Sequence, residues 1–307
     1  MHTLPKFLAV TAALSVLLAP QALAQRQLGK KKGPTSKLYL AETKGEGKII
    51  TEDQAYEPRQ ATAFDAPGTV IETGNGSYQA LVYSNGTGMY VDSNTRVEIA
   101  RFVQEPFQPD RNTTELEPSI SQSDVFVARG QIGLCTGQLV SGTTMNYSTP
   151  HAAVNIRSGR LVIETSLESS TVYLLDGDAT VRSGNRDPGG QVLHPGEQAV
   201  IRPGPPGQPS TITIGPIDRQ LTNTLDEKVS IACNARKTVS FEMIERKAEQ
   251  GAGGPGDRGV AETGAGPERT ETGSATDEIV ARPTVPVAPP TNITVSPDRL
   301  NRGPGGH

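Results

Sequence analysis

The stretch Thr143–Pro203 reads TTMNYSTPHAAVNIRSGRLVIETSLESSTVYLLDGDATVRSGNRDPGGQVLHPGEQAVIRP, and it decides the fold. In it, short runs of β-branched and aliphatic residues alternate with residues that form tight turns. Ser158-Gly159 separates Ala153–Ile156 from Leu161–Ile163, and Asp176-Gly177 separates Val172–Leu175 from Ala179–Val181. Because glycine tolerates the positive φ of a two-residue turn, the pattern predicts two successive β-hairpins.

Strand-like runs continue on both sides of this stretch, from Gly68 to Ile214. The turn formers between them include Gly74-Asn75-Gly76, Asn85-Gly86 and Asp92-Ser93-Asn94. Such short separators predict an antiparallel meander, and the Pro-rich segment Gln104–Ser123 predicts a surface loop. The expected fold is mainly β, with an antiparallel β-sandwich or a β-solenoid-like domain over residues 68–214.

The N-terminus has the composition of a secretory signal peptide. Lys6 precedes an apolar run, Phe7–Leu18, and Ala22-Leu23-Ala24 has the small-x-small form of a cleavage site. A membrane anchor is the alternative, but roughly a dozen apolar residues are fewer than the ~20 that a spanning helix needs. We expect residues 1–24 to be removed by cleavage after Ala24, which leaves a periplasmic or secreted protein. Residues 25–67 are expected to form a flexible basic arm and an irregular lead-in, with one strand at Lys48–Thr51.

The hydrophobic period changes after the β region. Asp218 is a candidate N-cap, and Leu221, Leu225 and Val229 fall on one face of a helix. A second helical piece is expected from Val239 to Gln250, so residues 215–250 form a helical segment with one or two short helices.

Residues 251–307 are rich in Gly and Pro and predict a disordered tail. Within this tail, Thr291–Val295 is a short β-type run that could add to a sheet edge.

Composition limits the classes of partner. The chain has 307 residues, a formal net charge of -4 and no Trp, with 33 Gly and 24 Pro, so part of it is expected to stay unpacked. This charge gives no overall attraction to nucleic acid, and no later segment is apolar enough for membrane insertion of the mature chain.

Two cysteines, Cys135 and Cys233, remain after export. A disulfide between them would tie the helical segment to the sheet, and disulfides persist outside the cytoplasm. Two buried free thiols are the alternative, because sequence alone does not show that the residues meet. The sequence leaves both possibilities open.

Several motifs together resemble the FecR domain family. They are Asn85-Gly86, Ser93-Asn94-Thr95, Thr149-Pro150, Tyr173–Val181 and Leu193–Ala199. The resemblance covers Gly68 to Pro203, and it implies a β-rich domain exposed outside the cytoplasm. The chain departs from the family at Arg157-Ser158-Gly159-Arg160 and in its Pro-rich insertion. Proteins similar to the iron-citrate regulator carry a cytoplasmic segment and a membrane span where this chain has a cleavable leader, so their relay role is not carried over.

Candidate catalytic and metal-binding residues are few. His194-Pro195-Gly196-Glu197 is similar to the HxxE fragment of a metal-binding cupin, but a cupin needs further histidines, and only His151 is available in the domain. A bend set by Pro195-Gly196 is the favoured interpretation. A Ser/His151/Asp176 hydrolase lacks the Gly-x-Ser-x-Gly elbow.

Two further groups of residues are candidates for ligand binding. Asp176 and Asp178 flank Gly177 and could bind Ca²⁺, though a calcium loop needs several more oxygen ligands. The rings of Tyr78, Tyr83 and Tyr90 could line one sheet face for carbohydrate or peptide contact, but such rings more often pack at sheet edges.

The sequence therefore favours a non-enzyme with no catalytic residue, metal site or cofactor. We expect a non-catalytic exported FecR-like module that makes protein or glycan contacts in the cell envelope. The alternative is a periplasmic signal-sensing or regulatory protein acting through a membrane partner, and a metal-dependent cupin-like enzyme is third.

Overall fold

A computed structural model describes residues 36–52, 54–107, 116–183, 189–205, 210–246 and 276–284. These ranges contain one helix, α1 (Arg219–Arg236), and seventeen strands. The strands in chain order are β1 (Lys37–Lys44), β2 (Gly47–Thr51), β3 (Gln54–Tyr56), β4 (Thr62–Asp65), β5 (Thr69–Thr73), β6 (Tyr78–Tyr83), β7 (Gly88–Val91), β8 (Arg96–Gln104), β9 (Ser121–Cys135), β10 (Thr144–Ser148), β11 (Ala153–Thr165), β12 (Ser170–Arg182), β13 (Gln191–Leu193), β14 (Glu197–Arg202), β15 (Thr211–Pro216), β16 (Val239–Arg246) and β17 (Thr276–Pro283). The mainly β fold class is confirmed.

Strands β1 to β15 form one continuous sheet that folds over on itself into two layers. The first layer has the order β4-β1-β6-β7-β9-β11-β12-β14-β15, and the second has the order β3-β2-β5-β8-β9-β10-β11-β12-β13. Three long strands, β9, β11 and β12, belong to both layers because their two halves pair with different neighbours. All pairs are antiparallel except β9 with β10. The arrangement is a sandwich that is continuous along three strands.

The two predicted hairpin turns at Ser158-Gly159 and Asp176-Gly177 are wrong. Each lies in the middle of a 13-residue strand, and Gly159 pairs directly with Gly177. Their φ angles are +118° and +98°, and a Cβ on Gly159 would lie 2.0 Å from the Asp176 carbonyl oxygen. A glycine with positive φ can bend a strand as well as end it, and here the pair forms the corner between the layers.

The predicted meander is also only partly right. Asn85-Gly86 joins the hairpin of β6 and β7, as expected. Gly74-Asn75-Gly76 and Asp92-Ser93-Asn94 instead join strands of different layers, because β5 and β7 each continue into a strand with which they do not pair. Hydrophobic alternation locates these strands, but it does not say which layer each one joins.

The main core lies between the two layers and takes alternate residues from the strands on both sides. Its largest fully buried side chains include Tyr83, Tyr147, Phe102, Leu38, Leu40 and Ile71. Tyr83 and Phe102 meet edge to face with their ring centroids 4.9 Å apart. The core therefore joins first-layer β6 to second-layer β8 by direct contact.

Helix α1 covers the outer face of the first layer. Asp218 caps it by accepting a hydrogen bond from the Gln220 N–H at 2.8 Å, which confirms the predicted N-cap. Leu225 and Val229 of the predicted stripe are buried in a second cluster with outward-facing sheet residues such as Val162. No helix in the described part of the chain is both long and apolar enough to cross a membrane.

The predicted second helix and part of the predicted disordered tail are strands. Val239–Arg246 forms β16, which pairs along its whole length with β17 (Thr276–Pro283). Val239 and Phe241 alternate with Ser240, a period of two that suits a strand, and both apolar residues pack against the outer face of β1 and β6. This hairpin covers the outer face of β1 and β6, beside α1.

The predicted irregular lead-in is structured from residue 36 onward. It contains β1 to β4, of which only β2 was expected, and β1 pairs with both β4 and β6. Leu38 and Leu40 of β1 enter the main core, and Tyr39 packs on the outer face. The signal peptide 1–24 and the β-type run Thr291–Val295 lie outside the described residues.

Candidate interaction site

Cys135 of β9 and Cys233 of α1 form a disulfide, with their Cα atoms 5.2 Å apart across a sequence separation of 98 residues. Of the two possibilities that the sequence left open, the structure has the bridge. Two ion pairs reinforce this attachment: Arg160 with Asp226 at 2.7 Å and Lys228 with Asp92 at 2.5 Å. The helix is therefore fixed to the sheet by covalent and ionic contacts as well as by packing.

His151 lies in a buried hydroxyl network. Its Nδ1 is 3.0 Å from Ser170 Oγ, and the hydroxyls of Thr149 and Thr165 each lie 2.8 Å from the same oxygen. Ser170 is 0 % exposed. Asp176 lies six residues further along β12, about 20 Å away at the rise of a strand, so the three residues of the hypothetical hydrolase are not brought together.

His194 and Glu197 occupy the turn between β13 and β14. The His194 N–H donates to Glu197 Oε2 at 2.9 Å, and Gly196 has a φ of +83°. The carboxylate therefore closes the turn, which agrees with the bend interpretation. Asp178 faces Arg157 at 3.7 Å. Within the described ranges, no three His, Cys, Asp or Glu side chains are grouped so that they could hold a metal ion.

The three tyrosines do not share one sheet face. Tyr78 and Tyr90 lie on the outer face with ring centroids 5.4 Å apart, and Tyr83 is buried in the main core. The Tyr90 hydroxyl donates to Asp92 Oδ1 at 3.1 Å. Burial, followed by the charge of Asp92, raises the pKa of Tyr90 well above its usual value. The rings of Tyr78 and Tyr90 therefore pack beneath and beside helix α1.

The predicted surface loop Gln104–Ser123 contains a buried carboxylate. Glu117 is 3 % exposed and accepts hydrogen bonds from the hydroxyls of Ser121 and Thr143 at 2.6 Å, from Val140 N–H at 3.0 Å and from the Asn85 amide at 3.3 Å. Burial raises the pKa of Glu117, although the four hydrogen bonds act in the opposite direction. This carboxyl group connects three separate turns of the fold, so it has a structural role.

A cavity of about 340 Å³ lies between α1 and the sheet, beside Lys228 and Tyr173. The Tyr173 hydroxyl and the Gln131 amide both donate to Glu164 Oε2 at 3.3 Å. Lys228 also donates to Gln131, and burial, with Glu164 nearby, raises the pKa of Tyr173 to about 12. The polar groups of this cavity therefore bind one another.

A larger groove of about 590 Å³ lies at one end of the sandwich, where β2, β3 and β4 meet. It is lined by Ile49, Thr51, Ala55, Tyr56, Glu57, Arg59, Thr62, Ala63 and Phe64. Ile49 and Phe64 also contact the main core, so the floor of the groove is continuous with the interior. Tyr56 is 50 % exposed and belongs to the rim.

The strands beside this groove have free edges. Among the described residues, β3 pairs only with β2, and β4 pairs only with β1. Residues 57–61 lead from β3 in the second layer to β4 in the first, so the groove lies where the chain passes between layers. Unpaired strand edges carry backbone N–H and C=O groups that can bind an added strand.

Sequence reasoning missed this groove because it treated residues 25–67 as an arm and irregular lead-in. The available signal was the apolar content of LYLA at Leu38–Ala41 and of Ile49-Ile50, each followed within a few residues by a glycine or a polar turn. The groove is formed by β2, β3 and β4 together, and the β1–β4 pairing that holds β4 has no local sequence signature.

No protein-family profile matches this chain, and no curated protein matches it. Among solved structures it is similar to two crystal structures, at 2.50 and 1.65 Å resolution, of a proposed anti-sigma factor from Parabacteroides distasonis. Each match has 15 % sequence identity and a TM-score of 0.36, and covers 50 % of this chain and 62 % of the other. The chain thus matches less than two thirds of the length of those proteins, and no functional conclusion rests on the likeness.

Proposed function

We propose that this chain is a non-catalytic binding module that holds an extended segment of a cell-envelope protein in the groove formed by β2, β3 and β4. One observation carries the proposal: an apolar groove of about 590 Å³ lies beside two strands with free edges. Backbone hydrogen bonds to a free edge supply affinity, and the groove supplies a pocket for apolar side chains.

The lining of the groove favours a protein segment over a glycan. Its floor is formed by Ile49 and Phe64, which offer no hydrogen bonds from their side chains. Saccharide recognition needs several polar groups that converge on hydroxyls, and the charged lining residues Glu57 and Arg59 are both exposed. Apolar side chains of an extended peptide fit this surface better.

The non-catalytic assignment is supported by the roles that the reactive side chains already fill. Ser170 is enclosed by His151 and two threonines, so its hydroxyl is withheld from solvent. Glu197 accepts the hydrogen bond that closes its turn. His151, Ser170 and Glu197 thus each stabilise a connection between strands.

Export is part of the proposal. The Cys135–Cys233 disulfide supports it, because disulfides persist in oxidising compartments and are rare in the cytosol. N-terminal sequencing of protein purified from cells tests this step. A mature chain that begins at Gln25 is expected, and a chain that begins at Met1 in the cytoplasmic fraction would contradict it.

Site-specific photo-cross-linking in cells tests the binding role. A benzophenone side chain at Tyr56 is expected to capture a protein, and mass spectrometry should map the adduct to a single extended segment of it. The matched control is the same probe at Leu167, an apolar residue that is 97 % exposed in the turn between β11 and β12.

A second substitution within the groove makes the cross-linking result specific. Thr62→Arg places a charged side chain in the groove lining and should abolish the Tyr56 adduct without unfolding the protein, because Thr62 is exposed and lies opposite the inward-facing Leu40. An adduct with glycan, or an adduct that persists in Thr62→Arg, contradicts the proposed site.

A regulatory protein that acts through a membrane partner is the second candidate. It is supported by the FecR-like motifs, which lie along β12 at Tyr173–Val181 and at the β13–β14 turn, Leu193–Ala199. The same cross-linking experiment separates the two candidates. Capture of a membrane signalling protein favours regulation, and capture of a structural envelope protein favours a scaffold.

A further inference from the structure

The opposite end of the first layer is formed by β15 (Thr211–Pro216), whose sequence is TITIGP. Within the described part of the chain it pairs only with β14, and the register is regular over all six residues. It carries no charged side chain, and its only proline is its last residue. These are the features of an edge strand that can accept another strand.

The other strand edges of the sandwich carry protective features that β15 lacks. Strands β3 and β13 are only three residues long, which limits the pairing that they can offer. Strand β4 ends in Asp65, which forms an ion pair with Lys37 at 3.0 Å. Short length and charge limit the pairing of an edge with a second copy of the same chain, so at β3 and β4 the adjacent groove must supply much of the affinity for a different partner.

The side chains of β15 alternate cleanly between two environments. Ile212 and Ile214 are partly buried and pack against the main core, and Thr211 and Thr213 are exposed. An added strand with the same alternation would place its own apolar residues beside these isoleucines. It would therefore extend the core as well as the sheet.

We propose that β15 pairs with β15 of a second copy of this chain, antiparallel about a two-fold axis, and so joins the first layers of two subunits into one sheet. The strand is self-complementary for this purpose. It is uncharged, so two copies do not repel each other along the edge. Antiparallel pairing about a two-fold axis is also the arrangement in which one surface patch serves both subunits.

The alternation restricts this pairing to registers in which the two-fold axis passes through a residue. Residues that lie directly opposite each other in an antiparallel pair have their side chains on the same face of the sheet. A two-fold axis that passes midway between two residues would place Ile212 opposite a threonine. One of these two side chains would then lie on the wrong face of the sheet. Among the allowed registers, an axis through Thr213 pairs the most residues of β15, because it places Ile212 opposite Ile214 and Thr211 opposite Gly215. It also leaves Pro216, which has no N–H to donate, outside the paired segment.

The proposal does not depend on the groove at β2, β3 and β4, which lies at the other end of the first layer. It assigns a separate surface to self-association. The paired segment covers only five residues of each strand, so we expect a reversible dimer whose population rises with protein concentration.

Cysteine cross-linking tests the register directly. The chain has two cysteines in all, and both are in the Cys135–Cys233 disulfide, so an introduced cysteine is the only thiol. Thr213→Cys lies on the axis and faces its own copy, with Cα atoms about 4.5–5.5 Å apart in such a pair. Mild oxidation of the folded protein is expected to convert it to a covalent dimer.

Thr211→Cys is the matched control, since it lies on the same exposed face of the same strand. The proposed register places the two copies of this residue four positions apart, about 13 Å, which is beyond the reach of a disulfide. Equal cross-linking of Thr211→Cys and Thr213→Cys would overturn the register, and failure of Thr213→Cys to cross-link would overturn the interface.

Sedimentation of the unmodified protein supplies an independent measurement. A concentration-dependent dimer is expected, and Thr213→Lys should weaken it by roughly tenfold or more, because the axis brings the two ammonium groups together. Thr62→Lys, on the edge strand at the other end of the layer, should leave the dimer unchanged. A monomer at every concentration, or a dimer that is sensitive only to Thr62→Lys, would refute the proposal.

Discussion

Replacing Gly177 with alanine should destabilise the protein far more than an ordinary glycine substitution. Gly177 lies opposite Gly159 at the corner where β11 and β12 pass from one layer to the other. Its φ is +98°, and an added Cβ would lie 2.2 Å from the Ser158 carbonyl oxygen and 2.6 Å from the Gly159 Cα. Both obstacles are backbone atoms of the neighbouring strand, so no side-chain rotation relieves the contact.

The expected cost has two parts. The left-handed backbone conformation costs an alanine about 1–2 kcal/mol. Separating the two strands enough to admit the methyl group adds about 1–3 kcal/mol, the usual cost of overpacking. The free energy of unfolding should therefore fall by roughly 2–5 kcal/mol, which is a large share of the 5–15 kcal/mol that stabilises a typical protein.

Gly196→Ala is the matched control. Gly196 has a φ of +83°, close to that of Gly177, but an added Cβ would meet no atom within 4 Å. It should therefore incur only the conformational cost of about 1–2 kcal/mol. Urea denaturation of the two variants and the wild type measures the difference. If Gly177→Ala unfolds at the same urea concentration as Gly196→Ala, the close approach of the two strands at the corner does not limit stability.

Three further predictions concern the attachments around the sheet. Replacing Cys135 and Cys233 together with alanine should lower the free energy of unfolding by up to about 4–5 kcal/mol, the chain-entropy value for a loop of this length, and urea denaturation without reductant measures it. Glu117→Gln should cost about 1 kcal/mol at pH 4, because the amide NH₂ group, unlike the hydroxyl oxygen of the protonated carboxyl that it replaces, cannot accept a hydrogen bond. Burial raises the pKa of Glu117 in the folded protein, so this residue contributes its full stabilisation below the pKa of the unfolded state and loses it as the pH rises through the pKa of the folded state. The loss of stability in Glu117→Gln should therefore be smaller at pH 7 than at pH 4. A loss that is larger at pH 7 would contradict the raised pKa. Asp218→Ala should cost about 1 kcal/mol through loss of the helix cap, whereas Asp218→Asn should cost little, as thermal unfolding can show.

Local signals in the sequence were sufficient to predict helix α1. Asp218 accepts the hydrogen bond of an N-cap, and Leu225 and Val229 lie on the buried stripe. Both features depend on residues within a few positions of one another, so they are visible in a single sequence. The β-rich class was predictable for the same reason, because alternation and turn residues are local.

The sequence did not predict which layer each strand joins, because a glycine in a β region can either end a strand or bend it. Asn85-Gly86 ends a strand and forms a hairpin, whereas Gly177 bends a strand that continues. Both glycines have positive φ, +84° and +98°. What distinguishes them is the neighbouring strand, since Gly177 has Gly159 directly opposite, and that contact is absent from the local sequence.

The sequence did not predict β1 as a strand because both of its faces are buried. It did not predict β16 because its partner strand lies far along the chain. Leu38 and Leu40 face the main core, and Tyr39 packs on the outer face against the β16–β17 hairpin. Strand β1 therefore has no polar face and no alternation of apolar and polar residues. Phe241 of β16 pairs with Ala281, forty residues later. A strand whose partner lies so far along the chain gives little local indication of its pairing.

Helix α1 covers an apolar part of the sheet, whereas the strand edges at the two ends of the first layer stay uncovered in the described part of the chain. Without α1, the outer face of the first layer would expose Tyr90, Val162 and Tyr173 as one apolar patch, and a patch of that kind is a site of protein association or aggregation. The Cys135–Cys233 disulfide and the Lys228–Asp92 ion pair hold the helix over this patch. Both proposed contacts lie elsewhere, at the ends of the first layer, where β3 and β4 beside the groove and β15 have free strand edges. The covalent attachment of the helix thus contributes to the selectivity of both proposed contacts as well as to stability.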